Sequence, residues 1–405
     1  MVAKVNTSNQ MYNDMTDLLI MMFKDNLYAS KAIMKSFKNH KEWDNQTKGY
    51  FSDIIYDIVR YWRLLWYLLK KEPNLEKKDL INLINVYFFY KEKRIFNTTE
   101  IKNIDYNELE KILIYTKDVR VLKESIPDWL DQLGTDELGK RWDQIINVLN
   151  QKPNIVIRTN TLRITRDELI KILKNEGIQS EKIEQTPEAL LLKDRTNVFK
   201  LQSFKEGFFE VQSDASQMVS IFLDPKPGMR VIDVCAGEGS KTLHLAALMK
   251  NKGKIIAMDT QEWKLKELRR RAVKAGTENI EVRTIDSSKA YKRLKGTADR
   301  VLLDAPCSGL GTLRRNPDIK WKLILSDLKR LKNLQMDLLD RYSPLLRIEG
   351  RIVYSVCSIL PSEGEKQVKA FLERHNNKFE LIKEKRYWPE TDDTDGFYLA
   401  LIKRM

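Results

Sequence analysis

The chain reads as three successive folding units: an all-α first third over residues 1–145, a small α+β unit over 146–210, and a doubly wound α/β domain over 211–405. Three observations predict this. Apolar residues in the first third recur every three or four positions, the period of one face of a helix. Around residue 155 the pattern shifts to short β-branched runs. From Val211 onward, short apolar runs alternate with helical patterns, which argues a parallel sheet built from right-handed crossovers.

In the first third, residues 50–71 place Phe51, Ile54, Ile55, Ile58, Trp62, Leu65 and Leu69 on one stripe, and Pro73 ends the run. One long helix is predicted there, with further helices over 80–90, 106–115 and 136–149. Aromatic side chains crowd this region (Tyr61, Trp62, Trp66, Tyr67, Tyr87, Phe88, Phe89, Tyr90) and are expected to fill a bundle core rather than to stack on bases. The second unit should hold a strand over 155–158, a helix over 166–177 opened by Thr165, and a strand over 189–192, bounded by Pro153 and the Gly207 turn. In the third, strands are predicted over 230–234, 254–258, 280–283, 300–303 and 351–355. Helices are predicted over 241–249, 262–275 and 327–346, the last with Ser326 as its N-cap.

Composition narrows the function classes. With 42% hydrophobic and 32% charged residues, the chain resembles an ordinary water-soluble protein. Its longest apolar stretch, residues 54–69, is interrupted by Asp57, Arg60 and Arg63, so no bilayer-spanning helix and no membrane partner are expected. The opening Met-Val-Ala-Lys-Val-Asn lacks the apolar centre of a signal peptide, which makes the cytoplasm the expected location. A net charge of +14 favours a polyanionic partner such as nucleic acid, although a uniformly lysine-rich surface gives the same sign. The three cysteines exclude a fully paired disulfide framework. No Cys-x-x-Cys occurs and His40, His244 and His375 are scattered, so no metal is expected; a monomer is the expected state, though no residue pattern argues it.

Each cysteine instead follows a predicted strand inside a short polar motif, which points to thiolate chemistry in a reducing compartment. The first strand runs into Asp233-Val-Cys235-Ala236-Gly237-Glu238-Gly239-Ser240-Lys241-Thr242. Its glycines allow a tight turn and close approach of a ligand to the backbone. A dinucleotide fingerprint would need a third glycine at position 242, and a Walker loop would need glycine at 240. Both fail. The second, third and fourth strands end at or near Asp259, Asp286 and Asp304. A glycine loop followed by carboxylates at successive strand ends suits a nucleoside cofactor without a pyrophosphate, and S-adenosylmethionine is the candidate. The fourth strand continues as Asp304-Ala-Pro-Cys307-Ser-Gly, and the fifth as Tyr354-Ser-Val-Cys357-Ser-Ile-Leu-Pro361-Ser-Glu363.

With these motifs the sequence resembles the RsmB/Nop/Sun family of RNA 5-methylcytosine methyltransferases, nearest its bacterial RsmB-like (Sun/Fmu) branch. Arg158-Thr-Asn160, Arg314-Arg315-Asn-Pro-Asp-Ile-Lys-Trp321 and Asp395-Gly-Phe-Tyr398 match as well. The resemblance implies a Rossmann-like methyltransferase domain, preceded by a small RNA-binding α+β subdomain and a NusB-like RNA-binding helical domain. It implies that Cys357 is the nucleophile, that Cys307 assists proton removal and enzyme release, and that Asp304 contacts the base. S-adenosylmethionine would be held by the loop from Cys235 to Lys241 with Asp259, Asp286 and Asp304. Ribosomal RNA of the small subunit is the implied substrate, with Arg314, Arg315 and Lys241 offered to it. Val356 stands where many members have Thr, and Glu238 and Ser240 are unusual in the loop. The alternatives are a transfer RNA substrate, or an RNA-binding ribosome-assembly factor without catalysis, which would need neither Cys307 nor Cys357. An amino-group methyltransferase would favour Asn/Asp-Pro-Pro-Tyr/Phe at the fourth strand.

Overall fold

A computed structural model of the chain describes residues 9–95, 105–193 and 196–405; the opening residues on which the leader expectation rests lie outside them. No helix among the described residues is long and apolar enough to cross a membrane. The chain divides into two compact units, one comprising residues 1–151 with 313–323, the other residues 152–312 with 324–405.

The first unit is helical. Its longer helices are Asn9–Phe23, Ala29–Asn39, Asn45–Arg60, Lys77–Glu92, Tyr106–Thr116 and Asp128–Leu138. The helix expected over 50–71 is two, Asn45–Arg60 and Trp62–Leu68, separated by Tyr61 at φ −103° and ψ 20°. The cause lies in side chains that take over backbone carbonyls at the break. The Trp321 indole N–H donates to the Val59 carbonyl (2.7 Å) and the Lys320 ammonium to the Arg60 carbonyl (2.8 Å). The run expected over 136–149 likewise splits at Gly139, whose φ of +58° ends the Asp128–Leu138 helix before Arg141–Leu149 begins. Trp62, Trp66, Tyr87, Phe88 and Phe89 are buried, and Tyr61 and Tyr90 pack on the same core, as expected of a bundle. Tyr67 is the exception, at 41% exposed.

In this unit lies a stretch that the sequence reading assigned to the α/β domain. Residues 313–323 pack with the helices, and Lys320 ties them there. Its ammonium donates to the carbonyls of Arg60, Glu124 (3.3 Å) and Ser125 (2.9 Å) and to Asn150 Oδ1 (3.0 Å).

The second unit contains two sheets. The smaller uses β1 (Ile155–Thr159), β2 (Ser180–Lys182), β3 (Ala189–Leu192) and β4 (Phe209–Val211), in the antiparallel order β2-β3-β1-β4. The helix Arg166–Asn175 opens with a reciprocal capping box between Thr165 and Glu168, and it contributes Leu169 and Leu173 to the core beneath β1. The larger sheet holds β5 (Arg230–Asp233), β6 (Lys254–Asp259), β7 (Ile280–Thr284), β8 (Ala298–Asp304), β9 (Leu346–Val356), β10 (Phe379–Tyr387) and β11 (Phe397–Arg404). Their order is β10-β11-β9-β8-β5-β6-β7, with β5 to β9 parallel and β11 antiparallel to β9 and β10. Successive residues go to opposite faces: Ile232, Val301 and Ile352 to one core, Val231, Leu302 and Val353 to the other.

The five predicted strands of this domain are all present. Missed were β2 and β4, only three residues each, and the β10–β11 hairpin. The helix expected over 327–346 is Leu325–Tyr342, and its N-cap position is Ile324 rather than Ser326.

Candidate active site

Because β5 to β9 are parallel, their carboxyl ends share one rim. Chain order reverses between β5 and its neighbour β8, which opens a crevice there. The loop after β5 fills one side of it. Gly239 has φ +89°, and a Cβ on it would lie 2.5 Å from Leu268 Cγ, so only glycine lets the loop turn into the helix Ser240–Leu248. At Gly237 the corresponding direction is open space.

The loop is held from several sides. Asp259 at the end of β6 accepts the Gly237 N–H (2.9 Å) and the Gln261 N–H (2.8 Å). Arg271 donates to the Glu238 carbonyl (2.8 Å) and to Ser240 Oγ (3.0 Å), and it pairs with Glu210 at 2.8 Å. Arg158, buried at the end of β1, donates to the Ser240 carbonyl (2.7 Å) and to Gln212. Ser240, unusual in the loop, thus has both its hydroxyl and its carbonyl engaged. The Glu238 side chain is exposed.

Asp233, residues 235–241 and Asp304 line a cavity of about 200 Å³. Its walls fit S-adenosylmethionine. The open face of Gly237 would admit a ligand against the backbone, and the carboxylates would attract its cationic sulfonium and amino groups. Burial pushes the Asp233 carboxyl up to about 7, against the Thr242 hydroxyl that donates to it at 2.7 Å, and the Asp304 charge adds to the rise. Burial also pushes the Cys235 thiol up, so this cysteine stays neutral. Asp259 is not in the cavity wall and acts on it through Gly237, while Asp286 is exposed beyond β7.

The other side of the crevice carries the two remaining thiols. Asp304 on β8 is in register with Ser355 on β9, so the residues that follow emerge side by side. Cys307 Sγ and Cys357 Sγ are 3.4 Å apart. Asp304 pairs with Lys241 at 2.6 Å and accepts the Ser355 hydroxyl at 2.8 Å. Burial opposes the Lys241 charge, yet Asp304 and Cys357 beside it raise the ammonium's pKa. The hydrogen bond to Cys357, then burial, pushes the Cys307 thiol well up. The two thiols are thus adjacent, and Cys307 is held neutral.

Behind them lies a cluster that sequence reading did not assign. Ser308 and Ser358, each following one of these cysteines, both donate to Glu363, which is fully buried. The signal was available in the repeated Cys-Ser pair and in a glutamate six residues after Cys357. Arg314 and Arg315 lie in the segment that belongs to the helical unit. Arg314 is 3% exposed and its carbonyl accepts from Arg60 at 3.0 Å, while Arg315 is half-buried. Among the described residues no group of His, Cys, Asp and Glu could hold a metal ion.

Residues 220–403 match the family 16S rRNA methyltransferase RsmB/F, and residues 126–199 match the RsmF/B-like ferredoxin-like domain. The probable ribosomal RNA small subunit methyltransferase B of Synechocystis is 33% identical over 69% of this chain and 67% of its own length. The corresponding Bacillus subtilis protein is 28% identical over 95% of this chain and 97% of its own. Among solved structures, PH0851 superposes with a TM-score of 0.84 at 28% identity, covering 99% of this chain and all of that one. The chain belongs to the RsmB/F family of 16S rRNA methyltransferases, and S-adenosylmethionine is its cofactor.

Proposed function

We propose that the protein methylates carbon 5 of a cytosine in small-subunit ribosomal RNA through a covalent bond from Cys357. The observation that carries this reading is the 3.4 Å pair of thiols beside the Lys241–Asp304 ion pair, on the rim of the cofactor cavity. The names of the relatives support the RNA class.

Carbon 5 of cytosine is a weak nucleophile. Addition of the Cys357 thiolate to carbon 6 breaks the ring conjugation and moves electron density onto carbon 5, which is why a cysteine is required. The Lys241–Asp304 pair is the group proposed to face ring nitrogen 3 and share a proton with it as that density develops. S-adenosylmethionine supplies the methyl group. A base then takes the carbon-5 proton, the double bond re-forms, and Cys357 leaves as thiolate.

Cys307 is the proposed base. It begins as the neutral partner, held so chiefly by its hydrogen bond to Cys357. Once Cys357 is bonded to the ring that restraint is gone, and Cys307 can release its proton to water and accept another. The base must leave its stack, which costs least in single-stranded or loosely paired RNA. Lys241 and Arg315 are the cations proposed to reach the RNA; Arg314, being buried, is not.

The test incubates the protein with S-adenosylmethionine and unmodified 16S ribosomal RNA or transfer RNA, followed by nucleoside mass spectrometry. The account expects 5-methylcytidine in ribosomal RNA and none with Cys357→Ala. 5-Methylcytidine confined to transfer RNA would replace the substrate, and a different methylated nucleoside would replace the chemistry.

A further inference from the structure

The mechanism above uses both thiols but leaves one buried charge without a role. Glu363 is 0% exposed, and four donors converge on its carboxylate. The Ser308 N–H (2.9 Å) and Gln335 Nε2 (3.0 Å) donate to Oε1, and the hydroxyls of Ser308 and Ser358 (2.5 Å each) donate to Oε2. All four groups can donate and the carboxylate only accepts, so the ionised form satisfies the cluster. Gln335 also donates to the carbonyl of Pro306, the residue before Cys307, at 2.9 Å. The same carboxylate therefore grips the loop that carries Cys307 and the loop that carries Cys357.

We propose that Glu363 is a positioning residue for the thiol pair: it locks the two cysteine loops together through Ser308 and Ser358, and its negative charge, held against the residue after Cys307, keeps the proton on Cys307. The inference rests on the reading of Cys357 as nucleophile.

Three observations support it. Ser308 Oγ and Ser358 Oγ are 3.2 Å apart, matching the 3.4 Å between the sulfurs they follow, so the cluster sets the spacing of the pair. Glu363 contributes to the upward push on the Cys307 thiol, whereas Lys241 lies by Cys357. The other charges near the cluster are already balanced: Arg386 donates to the Ser358 carbonyl (2.7 Å) and pairs with Glu365, and Asp304 pairs with Lys241. The buried Tyr354 hydroxyl donates to the Glu363 carbonyl at 2.6 Å, and burial keeps that phenol protonated. Glu363 is thus the anion that distinguishes one thiol from the other.

The test compares wild type with Glu363→Gln, which retains shape but loses the charge. One readout is methylation kinetics; the other is alkylation of each thiol by iodoacetamide as a function of pH, in the absence of RNA, resolved by peptide mass spectrometry. The expected result is a fall in kcat of about 10–100-fold with KM for S-adenosylmethionine held within about twofold. The alkylation midpoint of Cys307 should move to lower pH while that of Cys357 stays. A merely looser fold would raise the alkylation plateau of both thiols without moving either midpoint, and this would overturn the proposal. If Glu363→Gln fails to fold, Ser358→Ala is read in its place: a loss confined to kcat supports the lock, and unchanged kcat overturns it. A shifted Cys307 midpoint in a protein whose wild type methylates no RNA would uphold the charge effect and defeat the methyltransferase reading alone.

Discussion

Two lysines, one in each unit, show how differently the two regions use charge. Lys320 in the helical unit is 2% exposed, and its ammonium meets four oxygens, more acceptors than it has protons. Nothing is left over for a ligand. Lys241 at the catalytic rim has one carboxylate partner, Asp304, and borders a cavity. A cation saturated by carbonyl oxygens, three from the backbone and one from Asn150, holds structure; a cation with one partner and an open side can take part in chemistry. The sequence pattern offers no such distinction, since both lysines sit in motifs shared with the family.

The contrast can be broken by exchanging the expected losses. Lys241→Met should lower kcat/KM for methylation about 100–1,000-fold, the scale of removing one charge-stabilising group from an enclosed site. Chemical denaturation of that variant should stay close to wild type. Lys320→Met should do the reverse. It leaves four buried oxygens without their donor and should lower the stability of the helical unit by about 3 kcal/mol or more, read by tryptophan fluorescence in urea. The affinity for S-adenosylmethionine should not change. Equal effects of the two substitutions on stability would erase the distinction.

A smaller effect sharpens the picture within the catalytic unit. His244 is buried with its ring 3.7 Å from Glu188, and burial depresses its pKa to about 4. As pH falls, the unfolded chain takes up this proton first, near the ordinary histidine pKa of about 6.5. The folded chain follows only near 4. The contribution of His244 to stability is therefore complete above pH ~6.5 and lost as pH falls toward 4. Denaturation midpoints of wild type should decline over that window, and His244→Leu should flatten the decline.

The catalytic half of the fold was legible because its signals are local. β5, β6 and β8 each carry a buried apolar run that ends in Asp, and the buried end of β9 leads straight into Cys357, so strands of this kind advertise themselves. The hairpin β10–β11 was not, because the edge strand Phe379–Tyr387 carries consecutive charges at 383–386 in place of an alternation, and it leaves its partner Phe397–Arg404, apolar up to Ile402, without a recognisable hairpin signal. The thiols, the glycine loop and Asp304 were legible as types and spacings. Missed were the contacts that position them, because Arg158, Arg271 and Glu363 reach their partners across gaps of 82, 33 and 55 residues. The same holds for Lys320, whose acceptors come from helices 170 to 260 residues away.

The central claim is that Cys357 bonds to the base and Cys307 is needed to release it. The direct measurement is a denaturing gel of wild type, Cys307→Ala and Cys357→Ala after incubation with S-adenosylmethionine and unmodified 16S ribosomal RNA. The account predicts a stable protein–RNA adduct with Cys307→Ala, little with wild type, and none with Cys357→Ala. An adduct that persists in Cys357→Ala, or full turnover by Cys307→Ala, would contradict it.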